Sequence, residues 1–152
     1  RWQNARPISA DLPFLCGDVT PRALRVPEND VRTHANGVQG VAQLRVAVHD
    51  LAASLQRYQA LLGLERTPAI GEEAVNLRLG TTVLRLETAK ASAQAAARLA
   101  QQGEGPFAIA LNTAQAEQLQ AASLGQTHGA PITWVENVDS TTQAPHANTA
   151  FA

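Results

Sequence analysis

The chain has 152 residues, of which 45% are hydrophobic, so it is long enough for one compact domain with a buried core. Twelve basic and thirteen acidic residues give a net charge of −1 without a basic cluster, which argues against nucleic-acid and membrane partners. No apolar segment approaches the roughly 20 residues of a membrane span, and the single cysteine makes a reducing, cytoplasmic location the expectation. Because the chain contains no methionine and begins at Arg1, we also expect a fragment or a processed product.

Residues 1–40 are rich in proline, asparagine, aspartate and glycine, and they hold one strand candidate, around Pro13–Gly17. Pro21, Pro27 and the Asn36-Gly37 pair interrupt any regular element. This segment is predicted to be an N-terminal arm with one strand, or the end of a preceding domain. Its packing stays open, because the arm can pack on its own chain or exchange with a second copy in a homodimer.

Residues 41–63 carry the clearest local pattern of the chain. Leu44, Val46 and Val48 alternate with small or polar residues, which is typical of a half-buried strand. Asp50 is then placed as an N-cap, and Gly63 stands where a left-handed residue would end a helix. Between them, apolar residues recur at helical spacing: Leu51, Leu55, Tyr58 and Leu62. The sequence therefore predicts a strand followed by a capped helix.

The next segment predicts a β-hairpin and a short helix. Val75, Leu77 and Leu79 alternate with polar residues, and Leu84 and Leu86 do the same after a tight turn at residues 79–82. The alanine-rich run from Ser92 to Gln102 has high helix propensity and is predicted to form a surface helix.

A weaker copy of the strand–helix unit follows. Alternation at residues 107–111 predicts a strand, Thr113 is a cap candidate 63 residues after Asp50, and residues 114–124 predict a helix that ends at Gly125. A further strand is expected at residues 132–136. The fold class is therefore α+β, with a mixed sheet built from two repeats (about 41–89 and 106–136) and helices on its outer face, and residues 41–152 form the predicted domain.

Strand alternation also predicts a polar sheet face. If the leucines and valines pack under the helices, the opposite face carries Gln43, Arg45, Asn76, Arg78, Arg85 and Glu87. Three arginines against one glutamate suit a small anionic ligand, because the planar guanidinium matches carboxylate or phosphate. The alternative is a solvated face on which Arg85 and Glu87 form an exposed ion pair across strands.

Other catalytic patterns are weak or absent. The histidines lack the spacing of zinc ligands, no serine lies in a Gly-x-Ser-x-Gly context, and no glycine-rich phosphate loop is present. His34, in a predicted turn, is a candidate general base near the ligand, and its alternative is an exposed turn histidine.

The segment from Val46 to Gly63 reads Val-Ala-Val-His-Asp-Leu-Ala-Ala-Ser-Leu-Gln-Arg-Tyr-Gln-Ala-Leu-Leu-Gly. This segment resembles the opening of modules in the glyoxalase/vicinal-oxygen-chelate (bleomycin resistance/dioxygenase) superfamily. The stretches Leu12–Gly17 and His34–Gly37 resemble the junction before a C-terminal module of glyoxalase-like proteins. The resemblance implies paired βαβββ modules that curl into a cup, which usually holds a divalent metal bound by histidine, glutamine or glutamate.

At the positions where the resemblance implies metal ligands, this chain has Gln43, Pro106 and Arg85. Proline has no side-chain donor, and a guanidinium repels a cation. We therefore expect no metal or other cofactor held by this chain alone; a divalent metal would need residues outside it.

Three functions remain open on the sequence. The first is an enzyme of lyase, isomerase or dioxygenase type that acts on an oxygenated metabolite and has a degenerate metal site. The second is a non-catalytic domain that binds a small molecule, and the third is a structural module that completes a homodimer.

Overall fold

The computed structural model describes residues 2–26, 31, 33–63, 73–122 and 131–136. A small antiparallel sheet pairs β1 (Trp2–Ala5) with β2 (Leu15–Asp18). A larger sheet contains β3 (Val38–Ala47), β4 (Ala74–Leu79), β5 (Thr82–Glu87), β6 (Gly105–Thr113) and β7 (Ile132–Val135). The helices are α1 (Leu51–Leu62), α2 (Ala93–Gln102) and α3 (Ala116–Ala122), together with a 3-10 turn at Arg22–Leu24.

The five-stranded sheet is mixed, in the order β4-β5-β3-β6-β7. Strand β3 lies parallel to β5 and antiparallel to β6, while β6 lies parallel to β7. The first repeat thus runs from β3 through α1 and β4 to the parallel strand β5, and the second runs from β6 through α3 to the parallel strand β7. The two first strands, β3 and β6, pair within the sheet. The α+β class and the mixed sheet are confirmed.

Helix α1 forms where its caps predict. The Asp50 carboxylate accepts a hydrogen bond from the Ala53 amide (2.9 Å), and Gly63 ends the helix with φ +64°. The buried face of α1 packs on strands β4 and β5 through Leu51, Leu55 and Tyr58. The predicted apolar set forms one core with these residues: Val46, Val48, Leu77, Leu84 and Leu86 are buried, and Leu44 and Leu79 pack at its border.

The hairpin and the second helix also match their predicted positions. Strands β4 and β5 pair antiparallel around Gly80, whose φ of +61° is the left-handed geometry that a two-residue turn needs. Ser92 caps α2 by accepting from the Ala95 amide (3.1 Å). Of the third predicted helix, residues 116–122 are helical, and Leu124 and Gly125 lie outside the described residues, as does the tail at 137–152.

The arm departs from its predicted single strand. It forms a two-stranded sheet, because Trp2–Ala5 pairs with the strand predicted near Pro13–Gly17. The segment Trp-Gln-Asn-Ala has no alternation of apolar and polar residues, so the sequence pattern alone could not reveal β1. No described helix is long and apolar enough to cross a membrane.

The arm contacts α1 of its own chain through Asp11 and Leu12. Leu12 packs against the core, and the Tyr58 hydroxyl donates to the main-chain carbonyl of Asp11. The Asp11 carboxylate accepts from the Arg57 guanidinium (2.7 Å from Nη2). These contacts join the arm to the helix side of the large sheet.

Candidate functional site

The strand register places the six predicted polar residues on one face of the sheet. Arg45 on β3 pairs with Arg85 on β5, which pairs in turn with Asn76 on β4. One step away, Val83 lies between Gln43 and Arg78, and at the other end Glu87 pairs with Ala47. Since directly paired residues point to the same side of a sheet, this polar face is continuous over three strands.

Glu87 is the centre of the hydrogen-bond cluster on this face. Its Oε1 accepts from Nε of Arg45 (2.8 Å) and from Nε of Arg85 (2.7 Å). Its Oε2 accepts from Nη2 of Arg45 (2.7 Å) and from the Ser92 hydroxyl (3.0 Å). Only 1% of Glu87 is exposed. The alternative of an exposed cross-strand pair is therefore wrong in its geometry: Arg85 and Glu87 share β5, and the carboxylate is buried.

Burial by itself would raise the pKa of Glu87, because it penalises the charged form. The hydrogen bonds from Arg45, Arg85 and Ser92 outweigh that effect, so the pKa of Glu87 lies below its ordinary value. A carboxylate with this pKa and four donors is ionised at neutral pH and has no lone pair left for a substrate proton. Glu87 is thus suited to hold the two arginines rather than to act as a general base.

Arg45 is almost fully engaged within the fold. Besides Glu87, it donates to Gln94 Oε1 (2.7 Å) and to the Ser92 hydroxyl (3.0 Å), and its guanidinium lies 4.8 Å from the centre of the Phe107 ring. The hydrogen bond to Glu87 raises the pKa of Arg45. These contacts tie the first turn of α2 to the sheet, so Arg45 has a structural role.

Arg85 differs from Arg45 in what it leaves free. Its Nε donates to Glu87, and its Nη1 donates to Asn76 Oδ1 (3.2 Å). The other three N–H groups have no acceptor among the described residues, and 34% of the side chain is exposed. Arg78 is exposed on the next strand, without an ion pair to another described residue. Arg85 therefore presents an open guanidinium edge.

The other two predicted site residues lie further from the cluster. Gln43 is half-buried between Val83 and Ala110, one step along the sheet from Arg45 and Arg85. His34 lies in the turn before β3, where its carbonyl accepts from the Gly37 amide (2.8 Å). Arg45 is seven positions after Val38 on this strand, which is ~23 Å at about 3.3 Å per residue. The structure does not bring His34 to the arginines, and a ligand role for it stays a prediction.

The described residues do not fit a divalent metal at the positions that the sequence resemblance implies. Gln43 offers one neutral oxygen, Pro106 pairs with Val46 at a register shift, and the Arg85 guanidinium occupies the same face as Gln43. Glu87 has both oxygens hydrogen-bonded to cations or a hydroxyl. Among the described residues, no three His, Cys, Asp or Glu side chains converge. A metal completed by residues outside this chain stays a prediction.

Sequence reasoning missed three members of the cluster: Ser92, Gln94 and Phe107. Ser92 was recognisable as the start of a helix, but a cap signal does not show which strand the helix end approaches. Gln94 and Phe107 reach Arg45 from segments 49 and 62 residues away in the chain. The periodicity of one segment cannot reveal a contact with a segment that is far away in the chain.

Comparison with protein-family models gives no match, and comparison with curated proteins gives none either. Three solved structures are similar. All three are methylmalonyl-CoA epimerases. The enzyme from Mycobacterium tuberculosis is 20% identical, with a TM-score of 0.46, over 58% of this chain and 67% of that chain. The Streptomyces coelicolor E43Q enzyme with 2-nitronate-propionyl-CoA is 23% identical, with a TM-score of 0.39, over 54% and 67%.

The third structure, an epimerase with methylmalonyl-CoA and NH4+, is also 23% identical, with a TM-score of 0.39 over 54% of this chain and 68% of that chain. These proteins belong to the vicinal-oxygen-chelate superfamily, the one that Val46–Gly63 resembles. At such identities and TM-scores the matches define no substrate or site for this chain. The fold assignment stands on the strand order itself.

Proposed function

We propose that this chain is a small-molecule-binding domain and that its polar sheet face binds a small anionic or oxygenated metabolite. The observation that carries the proposal is the open edge of Arg85. Three of its five N–H donors lack an acceptor among the described residues, although the guanidinium is held in place by Glu87 and Asn76. A pre-oriented guanidinium with free donors is the group that recognises a carboxylate or phosphate through two parallel hydrogen bonds.

The surroundings of Arg85 support the same function. Arg45 and Glu87 cancel each other's charge and fix the position of Arg85, so they serve as support rather than as ligand contacts. Gln43 and Arg78 flank the open edge on either side of Val83 and complete the proposed contact surface. Neither the cytoplasmic location nor catalysis of the lyase, isomerase or dioxygenase type follows from this geometry, and both stay predictions.

The test is binding of small acids to the chain and to Arg85→Gln. Calorimetric titration with butyrate, succinate and inorganic phosphate is expected to show binding to the wild-type chain. Arg85→Gln is expected to weaken it about tenfold, the value of one lost charge-assisted hydrogen-bonding pair. Arg85→Lys keeps the charge but loses the planar fork, so it is expected to bind with intermediate affinity. Arg22→Gln, an exposed change on the arm, is the control of equal charge and is expected to bind as the wild type does.

One observation favours the structural alternative, a domain that completes a homodimer. Among the described residues, the exposed large apolar side chains lie almost entirely in the arm: Ile8, Phe14, Leu15, Val19, Leu24 and Val31, with Val135 as the exception. Equal binding by Arg85→Gln and the wild type would contradict the binding proposal. Absence of acid binding, together with a dimer in sedimentation equilibrium, would replace it with the structural alternative.

A further inference from the structure

Val83 has three polar neighbours on its face of the sheet. Gln43 pairs with it across β3, Arg78 pairs with it across β4, and Arg85 follows it by two residues on the same face of β5. The diagonal between Arg78 and Arg85 corresponds to roughly 7–8 Å between their α-carbons. A ligand that contacts both arginines therefore passes between Val83 and Asn76, beside the half-buried apolar side chain of Val83.

The charges of this face are unequal. Glu87 neutralises one arginine, and Arg45 supplies two of the four hydrogen bonds to its oxygens. Because Arg85 shares the same glutamate and Arg78 has no ion pair with another described residue, three arginines against one glutamate leave a net surplus of two positive charges among the described residues of the face. A ligand with a single negative charge would compensate only one of them.

We infer that the ligand of this face carries two anionic groups joined by a short apolar linker, as a short aliphatic dicarboxylate does. One group binds the free edge of Arg85, the second binds Arg78, and the linker lies beside Val83. This inference depends on the proposed binding function and adds the chemical class of the ligand.

The experiment compares succinate with butyrate, which have four carbons each and differ in their second carboxylate. We expect the wild-type chain to bind succinate about threefold more tightly, because the Arg78 pair is exposed and contributes modestly. Arg78→Gln is expected to weaken the binding of succinate more than that of butyrate and so to remove that difference. Arg85→Gln is expected to weaken both acids, and Arg22→Gln neither. Added NaCl is expected to reduce the preference for succinate, since exposed charges are screened by salt.

The outcomes separate this inference from the proposed function. Equal binding of succinate and butyrate, with both weakened by Arg85→Gln, would overturn the two-charge ligand and retain the anion site. A preference for succinate that survives in Arg78→Gln would also overturn it. If neither acid binds the wild-type chain, the proposed function fails together with the inference. Because Arg78 is exposed, circular dichroism of Arg78→Gln is expected to match that of the wild type, which shows that a lost preference is not a loss of folding.

Discussion

Two buried carboxylates, Glu87 on the polar sheet face and Asp11 in the arm, show how similar groups can serve different ends. Each is 1–2% exposed and each is paired with arginine. Glu87 is shared by Arg45 and Arg85, so its region keeps a surplus of positive charge. Asp11 forms its ion pair with Arg57 alone, so this contact carries no surplus of positive charge. The surplus of cations, rather than the buried carboxylate, distinguishes a candidate site from a contact that closes the fold.

The largest expected effect follows from removing the shared carboxylate. Glu87→Ala leaves Arg45 and Arg85 side by side without the carboxylate that they share and also removes the acceptor of the Ser92 hydroxyl at the start of α2. Breaking a buried charge pair in this way costs about 3 kcal/mol of the free energy of unfolding. Urea denaturation is the measurement.

Glu87→Gln is the matched control for this change. It retains a side chain of the same shape and one acceptor oxygen, so it is expected to destabilise the chain less than Glu87→Ala does. Hydrogen exchange is expected to locate the loosening in the first turn of α2, which Arg45, Gln94 and Ser92 hold. A loss below ~1 kcal/mol for Glu87→Ala would contradict a structural role for the cluster, because surface substitutions usually fall in that range.

A smaller effect is expected at the arm. Asp11→Ala removes the partner of Arg57, but a third of the Arg57 side chain is exposed and water can replace the lost acceptor. The expected loss is about 2 kcal/mol in the free energy of unfolding, again by urea denaturation. Faster proteolysis near residues 9–12 is expected to accompany it.

Asp18 offers the comparison within the same arm. Its carboxylate pairs with Arg25 at 2.7 Å, yet the pair is at the surface. Asp18→Ala is expected to leave both the free energy of unfolding and the cleavage pattern of the arm unchanged. If Asp11→Ala behaves like Asp18→Ala, the arm does not depend on its buried carboxylate.

The two regions also differ in how far the sequence predicts them. Strand alternation places Arg45, Arg85 and Glu87 together, because a period of two is local and each residue lies on a regular strand. The same reasoning could not find the contact of Asp11 with Arg57, since Asp11 lies outside any regular element and 46 residues separate the two. Even on the sheet, alternation predicted which residues share a face but not which donors remain free. Which donors remain free depends on distances between side chains, and the sequence pattern does not contain those distances.

The smallest expected effect concerns the pKa of Tyr58, which reports on the arm without any substitution. The pKa of Tyr58 is raised to about 12, mainly by burial and secondly by the charge of Asp11. It is the single tyrosine of the chain, so ultraviolet absorbance of the phenolate measures it alone. Titration of the folded chain is expected to give this raised value, and titration in urea one of about 10. The pKa of Tyr58 is higher in the folded state than in the unfolded state. Ionisation of Tyr58 therefore does not change the free energy of unfolding below pH ~10 and lowers it as the pH rises from ~10 towards 12.

Substitution then assigns the cause of this raised pKa to one of the two regions. Asp11→Asn removes the second cause and retains the arm backbone, so the pKa of Tyr58 is expected to fall while staying above 10. Glu87→Gln alters only the polar face and is expected to leave that pKa unchanged, because α1 lies on the other side of the sheet. A folded-state titration near 10, with far-UV circular dichroism still native, would show that the arm does not cover Tyr58. An equal shift in both variants would show that the two carboxylates are coupled, and the distinction between a closing contact and a cation-rich site would not hold.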